Sequence, residues 1–156
     1  MKRKNSLKDR FLDKIPDYII ENVKDKFTDN VSFSFQFFDN SQDAGQDFND
    51  WKHEQLYKLL DKLKEYSKNT PRYWLNMPIG RGSNHVLEIY KSFPVKSEFL
   101  YPKFIPLDVD WARFRLEGDM RLIGFFVSKE ACEKMSIDPN VFHIVFLDEF
   151  HRFYKK

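Results

Sequence analysis

A single cysteine, Cys132, among 156 residues leaves no intramolecular disulfide and rules out a thiolate-rich zinc site. It reads as a small core filler. Glycine is scarce too, with five in all. Gly80-Arg81-Gly82-Ser83 is the one glycine-basic cluster, and no Gly-Lys-Ser/Thr follows to open a phosphate-binding helix. That stretch reads as a plain flexible loop in which Arg81 is a candidate for meeting a phosphate. Charge of one sign is also missing: 26 basic against 24 acidic residues means that any anionic partner must be met by a local patch. No apolar run approaches the ~20 residues of a membrane span. The basic start, Met1-Lys2-Arg3-Lys4, is followed by Asp9, Asp13 and Asp17 rather than by the apolar core of a signal peptide. The cytosol is therefore the expected address, with no membrane partner. Nucleophile elbows, dinucleotide fingerprints and zinc-type histidine spacings are absent, so no cofactor is expected. Asp108 and Asp110 share a strand face, a thin basis for a metal.

Aromatic residues are abundant: 17 Phe, 7 Tyr and 3 Trp, many in alternating or continuous runs that suit a sheet. The length fits one domain, residues 1–156, with a helical extension over 1–30 and a core over 31–156. Leu7, Phe11, Leu12 and Ile15 lie at helical spacing over 6–15, with Ser6 and Asp9 as a capping box. Pro16 ends that helix, and Tyr18, Ile19, Val23 and Phe27 suggest a second. Strict alternation over Val31–Phe38 predicts a strand with one buried face. The stripe Phe48, Trp51, Leu56, Leu59, Leu60, Leu63, Tyr66 predicts the longest helix over 47–67, capped by Asp47 and stopped by Asn69-Thr70-Pro71. Five prolines punctuate an inserted segment, 70–106, in which only Val86–Phe93 reads as a strand. Trp111–Leu116 and Met120–Val127 flank a hairpin turn, a polar excursion covers 129–140, and Val141–Leu147 is apolar on both faces, as an interior strand should be.

Arg113 and Arg115 are two apart and share one strand face. A three-residue turn would pair Arg115 with Arg121 and set three guanidiniums side by side, whereas a two-residue turn would split them. Such a trio repels itself unless carboxylates such as Glu117 and Asp119 neutralise it, or an anion sits within it. Phosphate matches the guanidinium fork. Beyond the last strand stand His151, Arg152, Tyr154, Lys155 and Lys156, where His151 and Tyr154 are of the type that moves protons. His53 and His85 read as surface residues, and His143 as a hydrogen-bonded core histidine.

From about Asp110 to Lys156, the run Trp-Ala-Arg-Phe-Arg-Leu-Glu-Gly-Asp-Met-Arg-Leu-Ile-Gly-Phe-Phe and the basic, aromatic tail resemble the C-terminal hairpin and last strand of RelE-like toxins, in the RelE/ParE superfamily. The resemblance implies an α+β fold, a mostly antiparallel sheet of four or five strands with helices on one face. It implies a ribosome-associated mRNA endonuclease of a toxin–antitoxin pair, acting by metal-free 2′-hydroxyl attack, with mRNA, the ribosome and an antitoxin as partners. By position, Arg113, Arg115 and Arg121 would hold the phosphate, and His151 or Arg152 and then Tyr154 would take the tail positions; RNA binding is expected of Arg152 and Lys155 in the tail and of Arg81 in the glycine-basic loop. The alternatives are a non-catalytic protein- or nucleic-acid-binding module on the same fold and, thirdly, an enzyme unrelated to RNA with its pocket in the insertion near Arg81 and His85.

Overall fold

The computed structural model describes residues 6–16 and 19–155, so the basic residues 2–4, Tyr18 and Lys156 lie outside the described residues. Its elements are α1 (Ser6–Leu12), a 3-10 turn (Ile20–Val23), α2 (Lys24–Thr28), β1 (Ser32–Ser34), α3 (His53–Tyr66), α4 (Pro71–Asn76), β2 (Leu87–Lys91), β3 (Val109–Arg115), β4 (Arg121–Val127), α5 (Lys129–Met135) and β5 (Val141–Asp148). The strands form one mixed sheet in the order β1-β5-β4-β3-β2. The β2–β3, β3–β4 and β4–β5 pairs are antiparallel, and β1 joins β5 in parallel. The fold is α+β. No helix among the described residues is long and apolar enough to cross a membrane.

Alternation divides the sheet into two faces with different covers. One carries Ala112, Phe114, Leu122, Phe142 and Ile144, which pack with Leu59 and Tyr66 of α3 and Trp74 of α4. The other carries Trp111, Ile123, Phe125, Val145 and Phe146 beneath Phe99, Ile105 and Phe153. Its cover is irregular chain, the 92–108 segment and the C-terminal tail, rather than helix. Phe153 is fully buried in the tail and meets Phe93, Phe99 and Trp111 at ring separations of 5.1, 5.9 and 5.6 Å. Truncating such a ring typically costs ~3–5 kcal/mol, so the tail is locked to the sheet by packing.

The expected interior strand is found between β1 and β4, buried on both faces. At Gly124 it comes so close that an added Cβ would lie 2.1 Å from the His143 carbonyl oxygen. Several expectations need correction. The strand expected over 31–38 stops at Ser34, because Phe38 N–H bonds back to the Phe35 carbonyl and turns the chain around the β5 edge. Phe33 therefore packs on the helical face against Phe114 and Phe142, whereas Phe37 reaches the other face against Phe125. The run serves two faces, not one.

The long helix begins at His53 rather than near Asp47. Residues 47–50 form a turn closed by Asp50 N–H on the Asp47 carbonyl, and Gln55 Oε1 accepts from Lys52 N–H at the true start. Thr70 and Pro71 do more than stop that helix. Thr70 Oγ1 accepts from Tyr73 N–H and Pro71 fills the first helical position, which starts α4. Part of the polar 129–140 stretch is likewise helical, since Ser128 caps α5. His143 is a stacked ring, not a hydrogen-bonded one: it lies 4.9 Å from Phe125 at 20°, and its Nδ1 has no partner.

Candidate anion-binding site

The β3–β4 turn uses three residues. Leu116 N–H bonds the Met120 carbonyl at 3.1 Å, and Gly118 takes the left-handed φ of +56° that the turn requires. Arg115 consequently pairs with Arg121. Arg113 lies on the same face two residues back. The flanking strands add acids to this row, for Glu88 of β2 pairs with Arg113 and Asp148 of β5 pairs with Arg121. A bulge between Ile89 and Lys91 gives β2 an extra residue, and Tyr90 joins Glu88 at the site. All stand at the end of the sheet nearest the hairpin turn, beyond the apolar cluster that fills the rest of that face.

These side chains enclose a small cleft of about 130 Å³ lined by Asn84, Glu88, Tyr90, Arg113, Arg115, Arg121, His151 and Tyr154. Five of the eight sequence-predicted site residues thus come together. Arg81 does not. It sits in the exposed 80–83 turn, which reaches the cleft only through Asn84. Arg152 and Lys155 also stand outside, and both contact the carboxylate of Glu98. Asn84, Glu88, Tyr90 and Asp148 are site residues that sequence reasoning did not single out. The alternation of Glu88 and Tyr90 within the predicted 86–93 strand was a signal for two of them, once that strand is known to pair with β3.

The three arginines differ. Arg113 is 4% exposed, donates to Glu88 Oε2 at 2.9 Å and to the His85 carbonyl at 3.1 Å, and keeps a buried Nε without a partner. Arg121 is 5% exposed and donates through Nη1 to the Gly118 and Met120 carbonyls, which ties it to the turn; its Nε is also unpartnered. Burial and then the neighbouring Arg113 and Arg115 push its pKa below the usual arginine value. A guanidinium stays charged even so. Arg115 is half-buried and has no ion-pair partner among the described residues. Glu117, a sequence candidate for neutralising the trio, turns instead to Lys58 at 2.8 Å. Positive charge concentrated here, with no carboxylate on Arg115 or Arg121 among the described residues, is an arrangement that a small anion would complete.

The tail is held by Asp148. Its fully buried carboxylate accepts from Arg152 N–H at 2.8 Å and from Phe153 N–H at 2.9 Å, even though burial raises its pKa. This closed loop forces His151 into the left-handed region at φ +55° and presents it to the cleft. Burial first, and then Arg121, depress the His151 pKa, so its imidazole is neutral at physiological pH with a nitrogen free to accept a proton. Tyr154 stacks on Tyr90 with ring centroids 4.8 Å apart and planes 3° from parallel. Behind the hairpin, on the helical face, Tyr66 Oη donates to the Arg115 carbonyl and steadies the strand that carries two of the arginines.

Cys132 is buried, and burial raises its thiol pKa, in keeping with a filler role. Among the described residues no three His, Cys, Asp or Glu side chains gather in a metal-binding cluster. No protein-family model matches the sequence, and no curated protein or solved structure matches the chain.

Proposed function

We propose that the chain is a RelE-like, metal-independent endoribonuclease of the toxin type, cutting mRNA in the cytosol. The observation that carries this reading is the meeting of Arg113, Arg115, Arg121, His151 and Tyr154 in one small cleft, where Arg115 and Arg121 have no carboxylate partner among the described residues. The volume suits a phosphate group and excludes a whole nucleotide, so the cleft grips the backbone and leaves bases outside. In the reaction His151 takes the proton of a ribose 2′-hydroxyl, O2′ bonds to the adjacent phosphorus, and the P–O5′ bond breaks. The departing oxygen takes a proton from the Tyr154 hydroxyl. The products are a 2′,3′-cyclic phosphate and a 5′-hydroxyl. The arginines neutralise the charge that accumulates on the non-bridging oxygens. The sequence resemblance over residues 110–156 supplies the toxin class, and with it an antitoxin as partner.

The test uses purified chain with a short RNA, alone and with ribosomes. A cyclic-phosphate end that disappears when the 2′-hydroxyl at the cut is replaced by hydrogen supports the proposal. Intact RNA under both conditions, together with harmless expression in cells, overturns it. A second reading, anion binding without chemistry on the same fold, is favoured by one contact: Glu88 already occupies Arg113. It predicts retained RNA binding with no cleavage, and no effect of His151→Ala on that binding.

A further inference from the structure

The N-terminal arm carries an apolar stripe that the rest of the described chain leaves open. No described residue from 6 to 28 is buried, and Leu7, Phe11, Leu12 and Ile15 are 76, 65, 49 and 49% exposed. Asp13 N–H bonds the Asp9 carbonyl and Ile15 N–H bonds the Leu12 carbonyl, so the coil of α1 continues to Ile15. Leu7, Phe11 and Ile15 therefore recur on one side, with Leu12 at their flank. Charge follows the same geometry. At ~100° per residue, Asp9 and Asp13 fall on the side away from the stripe, Lys14 borders Leu7, and Lys8 lies within the apolar breadth. Charge is also unevenly shared along the chain. Residues 2–15 hold Lys2, Arg3, Lys4, Lys8, Arg10 and Lys14 against only Asp9 and Asp13. The whole chain has 26 basic and 24 acidic residues, so everything after Ile15 is slightly acidic.

We propose that this arm lies on the surface of an anionic phospholipid bilayer, with its stripe among the acyl chains and its lysines at the headgroup phosphates. Surface anchoring of this kind combines buried apolar side chains with basic charge, and the arm supplies both. The arrangement selects lipid over other occupants. A lysine within an apolar stripe lays its stem along hydrocarbon and sets its ammonium among headgroups. In a protein groove, Lys8 would bring that charge onto an apolar floor. The open cleft of about 830 Å³ over Leu75, Ile89, Phe126 and Val127 has a rim balanced between Asp29 and Asp110 on one hand and Arg72 and Lys129 on the other. Neither this chain's cleft nor a second copy's thus offers the net negative charge that the arm needs. RNA would match the lysines but leave Leu7, Leu12 and Ile15 in water. Lying on the surface requires no spanning helix, and it is independent of the chemistry at the arginine cleft.

The full chain is mixed with vesicles of phosphatidylcholine alone, or of phosphatidylcholine and phosphatidylglycerol in equal parts, and bound protein is read by co-sedimentation. Binding is expected to the mixed vesicles only. It should fall about fivefold with each of Lys8→Gln and Lys14→Gln, and be lost in Leu7→Asp with Phe11→Asp. Trp51, Trp74 and Trp111 are all buried. In Phe11→Trp the new indole is therefore the one that lipids brominated along the acyl chain quench, while the parent's emission is unchanged. The double aspartate variant should melt as the parent does, because its altered residues belong to neither core. Failure to bind mixed vesicles overturns the proposal, as does equal binding to neutral ones. So does binding that survives the double substitution, as it would if the arginine cleft held a headgroup. A double variant that melts lower places the arm on its own chain. Self-association without lipid that the double substitution abolishes places it on a second copy, and RNA affinity lost with it places the arm on RNA; each of these also overturns the proposal.

Discussion

Replacing Glu88 with glutamine tests the electrostatics of the arginine site directly. Glu88 Oε2 lies 2.9 Å from Arg113 Nη2, with the Arg113 side chain 5% and the Glu88 side chain 30% exposed. The pair therefore does two jobs: it stabilises a buried cation and it competes with any incoming anion. A phosphate held between Arg113 and Arg121 would sit ~6 Å from the Glu88 carboxylate. At an effective dielectric of ~20 to 40, their repulsion is ~1.4–2.8 kcal/mol. Screening by the open mouth favours the lower end. Glu88→Gln should then tighten the binding of inorganic phosphate, or of a 2′-deoxy-blocked oligonucleotide, by about tenfold. The neutral side chain still accepts a hydrogen bond from Arg113, so the cost in stability is ~1–2 kcal/mol. Isothermal titration gives the affinity and a thermal melt gives the cost. Glu54→Gln, on the α3 surface where Glu54 pairs with Lys58, is the control and should change neither. Unchanged or weaker anion binding by Glu88→Gln would refute the idea that the three arginines converge on a ligand, and would make the Glu88–Arg113 pair purely structural.

Arg115, which has no ion-pair partner among the described residues, should be the dispensable member for folding: Arg115→Gln is expected to melt within ~0.5 kcal/mol of the parent, while RNA affinity falls and the salt dependence of binding loses about one counterion. Gly124→Ala has no room for its methyl group beside the His143 carbonyl and should lose more than ~3 kcal/mol by chemical denaturation. Burial lowers the pKa of His143 from 6.5, so the unfolded chain binds more protons in the window below 6.5. Stability is full above that value and falls as the pH drops towards the folded pKa. His143→Phe, which keeps the stack on Phe125, should flatten that acid decline in melts compared between pH 7.5 and about pH 5. His151 is likewise depressed, so cleavage should hold its rate down to pH values below 6.5, and an acid limb centred above 6.5 would argue against His151 as the base.

The hairpin and the interior strand were legible because their signals are local. Alternation fixes which face Arg113 and Arg115 share, and Glu117-Gly118-Asp119 supplies the turn. Whether that turn used two or three residues was not legible, and the convergence of the arginines depended on it. The edge pairings were hidden as well. Nothing in the sequence says that Glu88 lies opposite Arg113, because β2 and β3 are separated by the irregular 92–108 segment. The strand expected over 31–38 failed for a related reason: alternating phenylalanines signal burial, and here a turn at Phe35–Phe38 distributes them over two faces. Asp148 directly follows the apolar run Val141–Leu147, and nothing in the sequence marks it out. Its role depends on the tail folding back, which hinges on Phe153 finding a fully buried place among aromatic residues far away in sequence.

That folding back explains why the site lies where it does. A sheet covered on one face by helices and on the other by irregular chain has one end of the second face left for polar groups, since the aromatic cover stops at Trp111, Ile123 and Phe146. Continuing alternation then places Arg113, Arg115, Arg121 and Asp148 at that end, beyond the aromatic rings. Isolated, such a row would be among the least stable parts of the sheet, because buried charges need partners. Glu88 and the turn carbonyls satisfy part of that need, and Asp148 spends its two oxygens on the tail rather than on an arginine. An acid that paired fully with Arg121 would stabilise the sheet and close the site. Diverting Asp148 to the tail amides leaves positive charge uncompensated and, by the same bonds, turns His151 towards it.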